Sequence, residues 1–248
     1  MVEPSKTSRA GAVLGGIIVL IALAILIALG TWQVQRLHWK EGLLAAIEER
    51  RTAPPVDLTA IEAMAKAGED IDYRTVRLTG TYVNNRERHF FATYAGLTGY
   101  YVYTPLVLAD GRFVFVNRGF VPFEAKEPEM RKQGQLTGEQ TITGLARVKL
   151  DGKPSWVVPD NDLAKNIFYW KDLDAMIASD GLDPAKTLQF FVDADATPHE
   201  GGLPIGGVTQ FDLPNNHLQY ALTWYGLAAA LVVVSGLFVV RRLRQQQP

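Results

Sequence analysis

Gly11-Ala12-Val13-Leu14-Gly15-Gly16-Ile17-Ile18-Val19-Leu20-Ile21-Ala22-Leu23-Ala24-Ile25-Leu26-Ile27-Ala28-Leu29-Gly30 is an unbroken apolar run whose reading decides the fold. A helix needs about 20 such residues to cross the hydrocarbon of a bilayer, and this run supplies them. No charge occurs from Ala10 to Gln35, and a second uncharged run goes from Leu213 to Val240. The pattern predicts two transmembrane helices, residues 11–31 and 213–240, around a central domain of residues 32–212, with short tails at 1–10 and 241–248. Lys6 and Arg9 precede the first run, and Arg241, Arg242 and Arg244 follow the second. Positive residues stay on the cytoplasmic side, so both ends are expected in the cytoplasm and the central domain outside it. Arg36 and Lys40, just beyond the first helix, pull the other way. A cleavable signal peptide, ending near Ala28-Leu29-Gly30, is the rival for the first run, but the run exceeds the roughly 7–15 residues of a signal core. Trp32, Trp224 and Tyr225 stand where interfacial aromatic anchors belong.

Periodicity then divides the centre. Trp32, Arg36, Leu43, Leu44 and Ile47 continue a helical spacing past the membrane until Arg50-Arg51 and the Pro54-Pro55 break. A short helix fits Thr59 to Ala67. Strands fit Val76 to Asn85, Arg88 to Tyr94, Tyr100 to Leu108, Arg112 to Asn117, Gln140 to Val148 and Leu188 to Val192, and Asp172 to Ser179 reads as a helix ended by Asp180-Gly181. Asp110-Gly111 is a hairpin signal. Phe123 to Glu139 reads as an exposed connector. The expectation is an α+β membrane protein whose outer domain is a mainly antiparallel sheet or small barrel with a few helices.

Charge and composition exclude more than they identify. With 25 basic and 26 acidic residues, nothing advertises nucleic-acid binding, and the absence of cysteine removes disulfides, thiolate metal sites and thiol redox chemistry. No nucleophile elbow, zinc-protease helix, Walker loop or dinucleotide fingerprint occurs. Asp160-Asn161-Asp162 fails as a calcium loop, because Lys165 and Lys171 fall where the turn glycine and closing glutamate belong. Asp70/Asp72 and Asp193/Asp195 read as loop and strand-end residues rather than an acid/base pair. In Asn117-Arg118-Gly119-Phe120 the turn reading has Asn117 and Gly119 supplying the bend and Arg118 pairing with a local carboxylate or carbonyl. Pro204-Ile205-Gly206-Gly207 reads as a bend toward the membrane. The chain is expected not to be an enzyme.

The mouth of the second helix is where polar chemistry meets hydrocarbon. His217, Tyr220, Ala221 and Trp224 share one helical face, and an ionisable residue at a membrane edge is costly unless it meets water, a partner or a ligand. Trp32, Arg36 and Lys40 fall at the same depth if both helices cross. An imidazole, aromatic walls and a cation for carboxylates match what an amphipathic heme requires. Equally, His217 fits as a helix-start residue beside Asn215 and Asn216, with the tryptophans as anchors alone. His38, an exposed position or a second axial ligand, shares no ligand spacing with His89 or His199.

Leu29-Gly30-Thr31-Trp32-Gln33 with Arg36, Trp39 and Lys40, then Tyr73-Arg74, Val116 to Pro122, Pro159-Asp160-Asn161, Pro204 to Gly207 and Asn215 to Gly226 together resemble the Surf1 (Shy1) family of cytochrome c oxidase assembly factors. The likeness runs in order over nearly the whole chain. It implies two membrane helices around an outer domain and a non-enzymatic respiratory-chain (complex IV) chaperone. That chaperone binds heme a and assists its insertion into oxidase subunit I. The proposed iron ligand in that family is the histidine opening the second span, which is His217 here. On that reading Tyr220, Trp224 and Trp32 wall the site, Arg36 meets a propionate, and the partners are subunit I, the heme a synthase and membrane lipid. Phe120 departs from the family's usual Trp, and the lack of a histidine at position 38 in similar sequences argues against His38. So few residues precede the first run that a bacterial inner membrane, with a periplasmic central domain, is the expected address. A scaffold that holds an oxidase intermediate without touching heme stays open, as does a membrane-anchored enzyme of the heme pathway.

Overall fold

The computed structural model describes residues 6–211 and 214–245, with side chains from residue 11 onward. It divides into a helical unit, formed by the chain up to Ala46 and from Asp212 on, and a sheet unit, Ile47–Phe211.

The helical unit holds most of α1 (Lys6–Thr52) and all of α4 (His217–Gln245). At 1.5 Å per residue the 47 residues of α1 run to about 70 Å, far beyond one membrane, as the continuing periodicity predicts. Both helices are long and apolar enough to cross a membrane. In α1 the less exposed positions Val19, Leu23, Leu26, Gly30 and Gln33 alternate by four and three residues, and in α4 His217, Ala221, Trp224, Ala228, Leu231 and Ser235 do the same. That 3.5-residue repeat keeps one seam facing a neighbouring helix. Elsewhere the apolar side chains are exposed around the helix, as lipid-facing surface must be.

The sheet unit contains β1 (Val56–Asp57), α2 (Leu58–Lys66), β2 (Thr75–Tyr82), β3 (Arg88–Tyr94), β4 (Leu97–Leu108), β5 (Phe113–Pro122), β6 (Glu139–Val148), β7 (Ile167–Phe168), α3 (Leu173–Ser179) and β8 (Thr187–Ala194). Its strand order is β1-β2-β6-β8-β5-β4-β3-β7, and an added β2–β4 pairing closes β2, β6, β8, β5 and β4 into a barrel. Closure removes the exposed edges an open sheet leaves unpaired. The ladders are mostly antiparallel, but β5–β8, β1–β2 and β3–β7 run parallel. Alternate residues of β2 point inward, so Val76 and Leu78 join Leu106, Val114, Val116, Ile142 and Val192 in the barrel core, with Ile61 of α2 packed on it. A second cluster seats Leu173, Met176 and Ile177 of α3 against Tyr103, Phe115 and Phe191. Asp57 and Asp172 accept backbone N–H groups at the starts of α2 and α3, which fixes where those helices begin.

Two expectations need correction. The strand foreseen to stop at Asn117 continues to Pro122, because the extra residue at Arg118-Gly119 is absorbed as a bulge against β4 rather than a turn. Gly119 takes φ of 124°, and a Cβ there would run into the Ile205 carbonyl. The connector from Phe123 to Glu139 is not simply exposed either: it folds into short 3-10 turns that bury Arg131 and Gly134. Arg131 reaches both carboxylate oxygens of Glu87, and Arg118 lies 3.5 Å from the same carboxylate and donates to the Gly134 carbonyl. Arg118 thus meets both partner types foreseen for it. The Glu87 side chain is 2 % exposed, and among the described residues it is the one carboxylate that offsets the charge the two guanidinium groups bring inside. Burial alone pushes its pKa up, but His89, Arg131 and Arg118 overcome that and hold it down at about 2. His89 Nε2, at 3.7 Å, is too distant for a hydrogen bond, so the arginines dominate.

Candidate functional site

Gln33 is the polar interruption of the α1 seam, and it faces the first residue of α4. Its Oε1 lies 2.7 Å from His217 Nδ1. An amide oxygen only accepts, so Nδ1 is the donor in this contact and Nε2 is the nitrogen left over. No hydrogen bond engages Nε2 among the described residues. Asn215, just ahead of His217, has a buried amide oxygen without a partner among the described residues. Close by, Gly30 meets the Tyr225 ring so tightly that a Cβ would sit 2.7 Å from it, and the Thr31 and Tyr225 hydroxyls lie 3.1 Å apart. The two helices are therefore held by a pair of polar contacts and one glycine notch.

Of the residues singled out in the sequence, the seam takes His217, Ala221 and Trp224. Tyr220 and Trp32, 54 % and 51 % exposed, fall on other faces, since neighbouring helical positions diverge by about 100°. Arg36 lies over the Trp39 ring at 4.2 Å and forms no carboxylate pair among the described residues. His38 is exposed. Gln33, Thr31 and Tyr225 were not foreseen as contacts. The signal was present: Gln33 is the polar residue on a stripe that is otherwise apolar or glycine from Val19 onward.

The motif residues of the sheet unit are spent on folding. Phe120 and Ile205 pair backbone to backbone, so the Asn-Arg-Gly-Phe and Pro-Ile-Gly-Gly segments meet at one bridge rather than forming separate bends. Asn117 donates to Asp193 and accepts from Gly119 N–H. Asn161 accepts from the N–H groups of Tyr169 and Trp170, Asp160 pairs with Lys153, Asp70 with Arg50, and Asp72 and Asp193 with Arg147. These carboxylates are structural, as the sequence reading expected.

The SURF1 family model matches residues 20–229, from within α1 through the sheet unit into α4. The chain belongs to the SURF1 family. It is 40 % identical over 218 residues to Surfeit locus protein 1 of Rattus norvegicus, covering 82 % of this chain and 68 % of that protein. To the Xenopus tropicalis protein of the same name it is 37 % identical over 246 residues, 92 % of this chain and 76 % of the relative. The SURF1-like protein of Drosophila melanogaster is 32 % identical over 264 residues, 97 % and 82 % of the respective chains. The family's general role is in cytochrome oxidase assembly, and its members are non-catalytic assembly factors. The SURF1 match takes in Gly30, Gln33, His217 and Tyr225, so the polar helix pair lies inside the family region.

Proposed function

We propose that this SURF1-family chain serves oxidase assembly as a membrane-held scaffold that stabilises an assembly intermediate. The observation that carries this reading is a closed barrel, rigid by its hydrogen-bond ring, tethered at both ends by helices apolar enough to span a membrane. The partners are oxidase subunit I and the heme a synthase, both of them membrane-embedded. Basic residues at both chain ends support cytoplasmic termini and an extracytoplasmic, periplasmic sheet unit. That the membrane is a bacterial inner membrane is likewise part of the proposal; the relatives named above are animal proteins.

A second reading, in which the chain also carries heme a, is favoured by the His217–Gln33 bond. Metal-ligating imidazoles characteristically donate their other N–H to an oxygen, which orients the ring and leaves the ligating nitrogen free, and His217 has that arrangement. The seam itself offers one axial bond from His217 and aromatic surface from Trp224; Tyr220 and Trp32 face elsewhere and Arg36 lies over Trp39, so the wall and the propionate cation expected from the sequence are not assembled beside His217. Bound heme a would supply the redox centre destined for subunit I, while the chain's own part is to hold and orient it.

One experiment separates the two. Full-length wild type and His217→Ala are purified in mild detergent from a host that makes heme a, and each is scored for its absorption spectrum, extracted heme and support of oxidase maturation. The scaffold reading expects no heme on either and unimpaired maturation with His217→Ala. Heme a on the wild type, lost or spectrally altered in a folded His217→Ala, would install the second reading instead.

A further inference from the structure

Within the sheet unit, beside the barrel, lies a cavity of about 330 Å³ whose wall includes Tyr73, Thr93, Tyr101, Arg147, Lys171 and Gln210. That size falls at the lower end of small-molecule sites. Its charges are unevenly spent. Arg147 donates to Asp72 at 2.9 Å and to Asp193 at 3.3 Å, and stacks over Tyr73 at 4.0 Å. Asp193 is also satisfied by Asn117 and Thr209. Lys171 has neither an ion pair nor a hydrogen bond among the described residues; its ammonium stands 5.7 Å from the centre of the Tyr103 ring. Burial draws the Lys171 pKa below the ordinary lysine value, with Asp193 and Asp72 opposing that and Arg147 adding to it. The side chains of Thr93, Tyr73, Tyr101 and Gln210 likewise make no hydrogen bond among the described residues.

The wall has an apolar part as well. Phe90 and Tyr101 lie parallel, 5° apart in plane with centroids 6.1 Å apart, and both line the cavity. Tyr73 holds φ of 64°, a costly conformation for a bulky residue that persists only where the surroundings enforce it. Its amide bond to the Ala146 carbonyl and the Arg147 stack provide that enforcement. Thr93 and Gln210 are exposed to solvent; what marks this as a ligand pocket rather than packing is the unpaired cation beside flat apolar surface.

We propose that this cavity binds a small monoanionic carboxylate with a flat apolar body, its carboxylate on Lys171 and its body against Phe90 and Tyr101. Arg147 and Lys171 together balance Asp72 and Asp193, so the anion rests on the directed Lys171 ammonium rather than on a net positive field. Asp193 in the wall and Asp72 behind Arg147 repel a second negative charge, which disfavours a phosphate dianion. The site is independent of the His217 region and of either reading of the function.

The test uses the full-length protein in mild detergent with benzoate as probe, its neutral isostere benzamide, and inorganic phosphate. Binding is read by ligand-observed NMR, and acetylation of Lys171 by mass spectrometry. Benzoate is expected to bind saturably and to slow Lys171 acetylation at least fivefold, while benzamide and phosphate do neither. Lys171→Met is expected to weaken benzoate binding at least tenfold and Lys171→Arg to retain it. Absence of benzoate binding, equal protection by benzamide, stronger binding of phosphate, or unchanged affinity in Lys171→Met would each overturn the proposal. Should Lys171→Met fail to fold, the protection measured on the wild type decides alone.

Discussion

Glu87→Ala is expected to cost about 3–5 kcal/mol, the penalty for leaving buried charge without its partner. The loss comes from what stays behind: Arg118 and Arg131, both buried, with no other carboxylate against them among the described residues. In the full-length protein in detergent, the melting midpoint of the sheet unit should fall by roughly 10 °C. Asp160→Ala, which removes an exposed pairing with Lys153, should leave the midpoint where it is. The same network sets an acid limit. Because the Glu87 pKa is held down at about 2, below its unfolded value near 4.5, its stabilisation is fully present above about pH 4.5. It is lost as pH falls toward 2, a contribution of about 3 kcal/mol. Wild type should therefore destabilise steeply over that window, and Glu87→Ala should lack this component. A Glu87→Ala midpoint equal to wild type would show that the arginines are solvated or otherwise paired.

Gly119→Val carries the other large effect. A β-branched residue at φ of 124° is strained by itself, at about 1–3 kcal/mol, and its Cβ would overlap the Ile205 carbonyl that accepts the Phe120 N–H. The strand and the Pro-Ile-Gly-Gly segment must part, so the expected total exceeds 3 kcal/mol, with faster hydrogen exchange at the Phe120 and Ile205 amides. Gly111→Ala offers the comparison. Gly111 has a positive φ of 80° in open space, so only the backbone strain applies and the loss should stay near 1 kcal/mol. Equal losses at the two sites would mean that the Phe120–Ile205 bridge does not hold these segments together.

The contrast between these positions also explains how far the sequence could be read. Helices α1 and α4 were legible because an apolar run of that length has few alternatives, and β3 was legible to the residue at both ends, Arg88 and Tyr94. Strand β5 was read short because Asn-Arg-Gly looks like a turn locally; only its neighbours β4 and β8 reveal a bulge in a continuing strand. The parallel β5–β8 pair and the β2–β4 closure join residues far apart in the chain, which no local periodicity reports. The connector after Phe123 was read by its polar composition, which hid the long-range Arg131–Glu87 pairing. At the helix mouth His217 was visible as an oddity. Its partner Gln33 lies 184 positions away, so their meeting had to come from the packed helices. Lys171 carries no motif at all, and its unpaired state appears only once Arg147 is seen to take both nearby carboxylates.

The most direct test of the central claim, that this chain works in oxidase assembly, is the amount of assembled cytochrome oxidase in membranes of its source cell with and without the chain. Difference spectra and oxygen-consumption rates of washed membranes read it. The account predicts a several-fold loss of assembled oxidase without the chain, restored by the wild-type copy and not by Gly119→Val. Undiminished oxidase in membranes that lack the chain would contradict it.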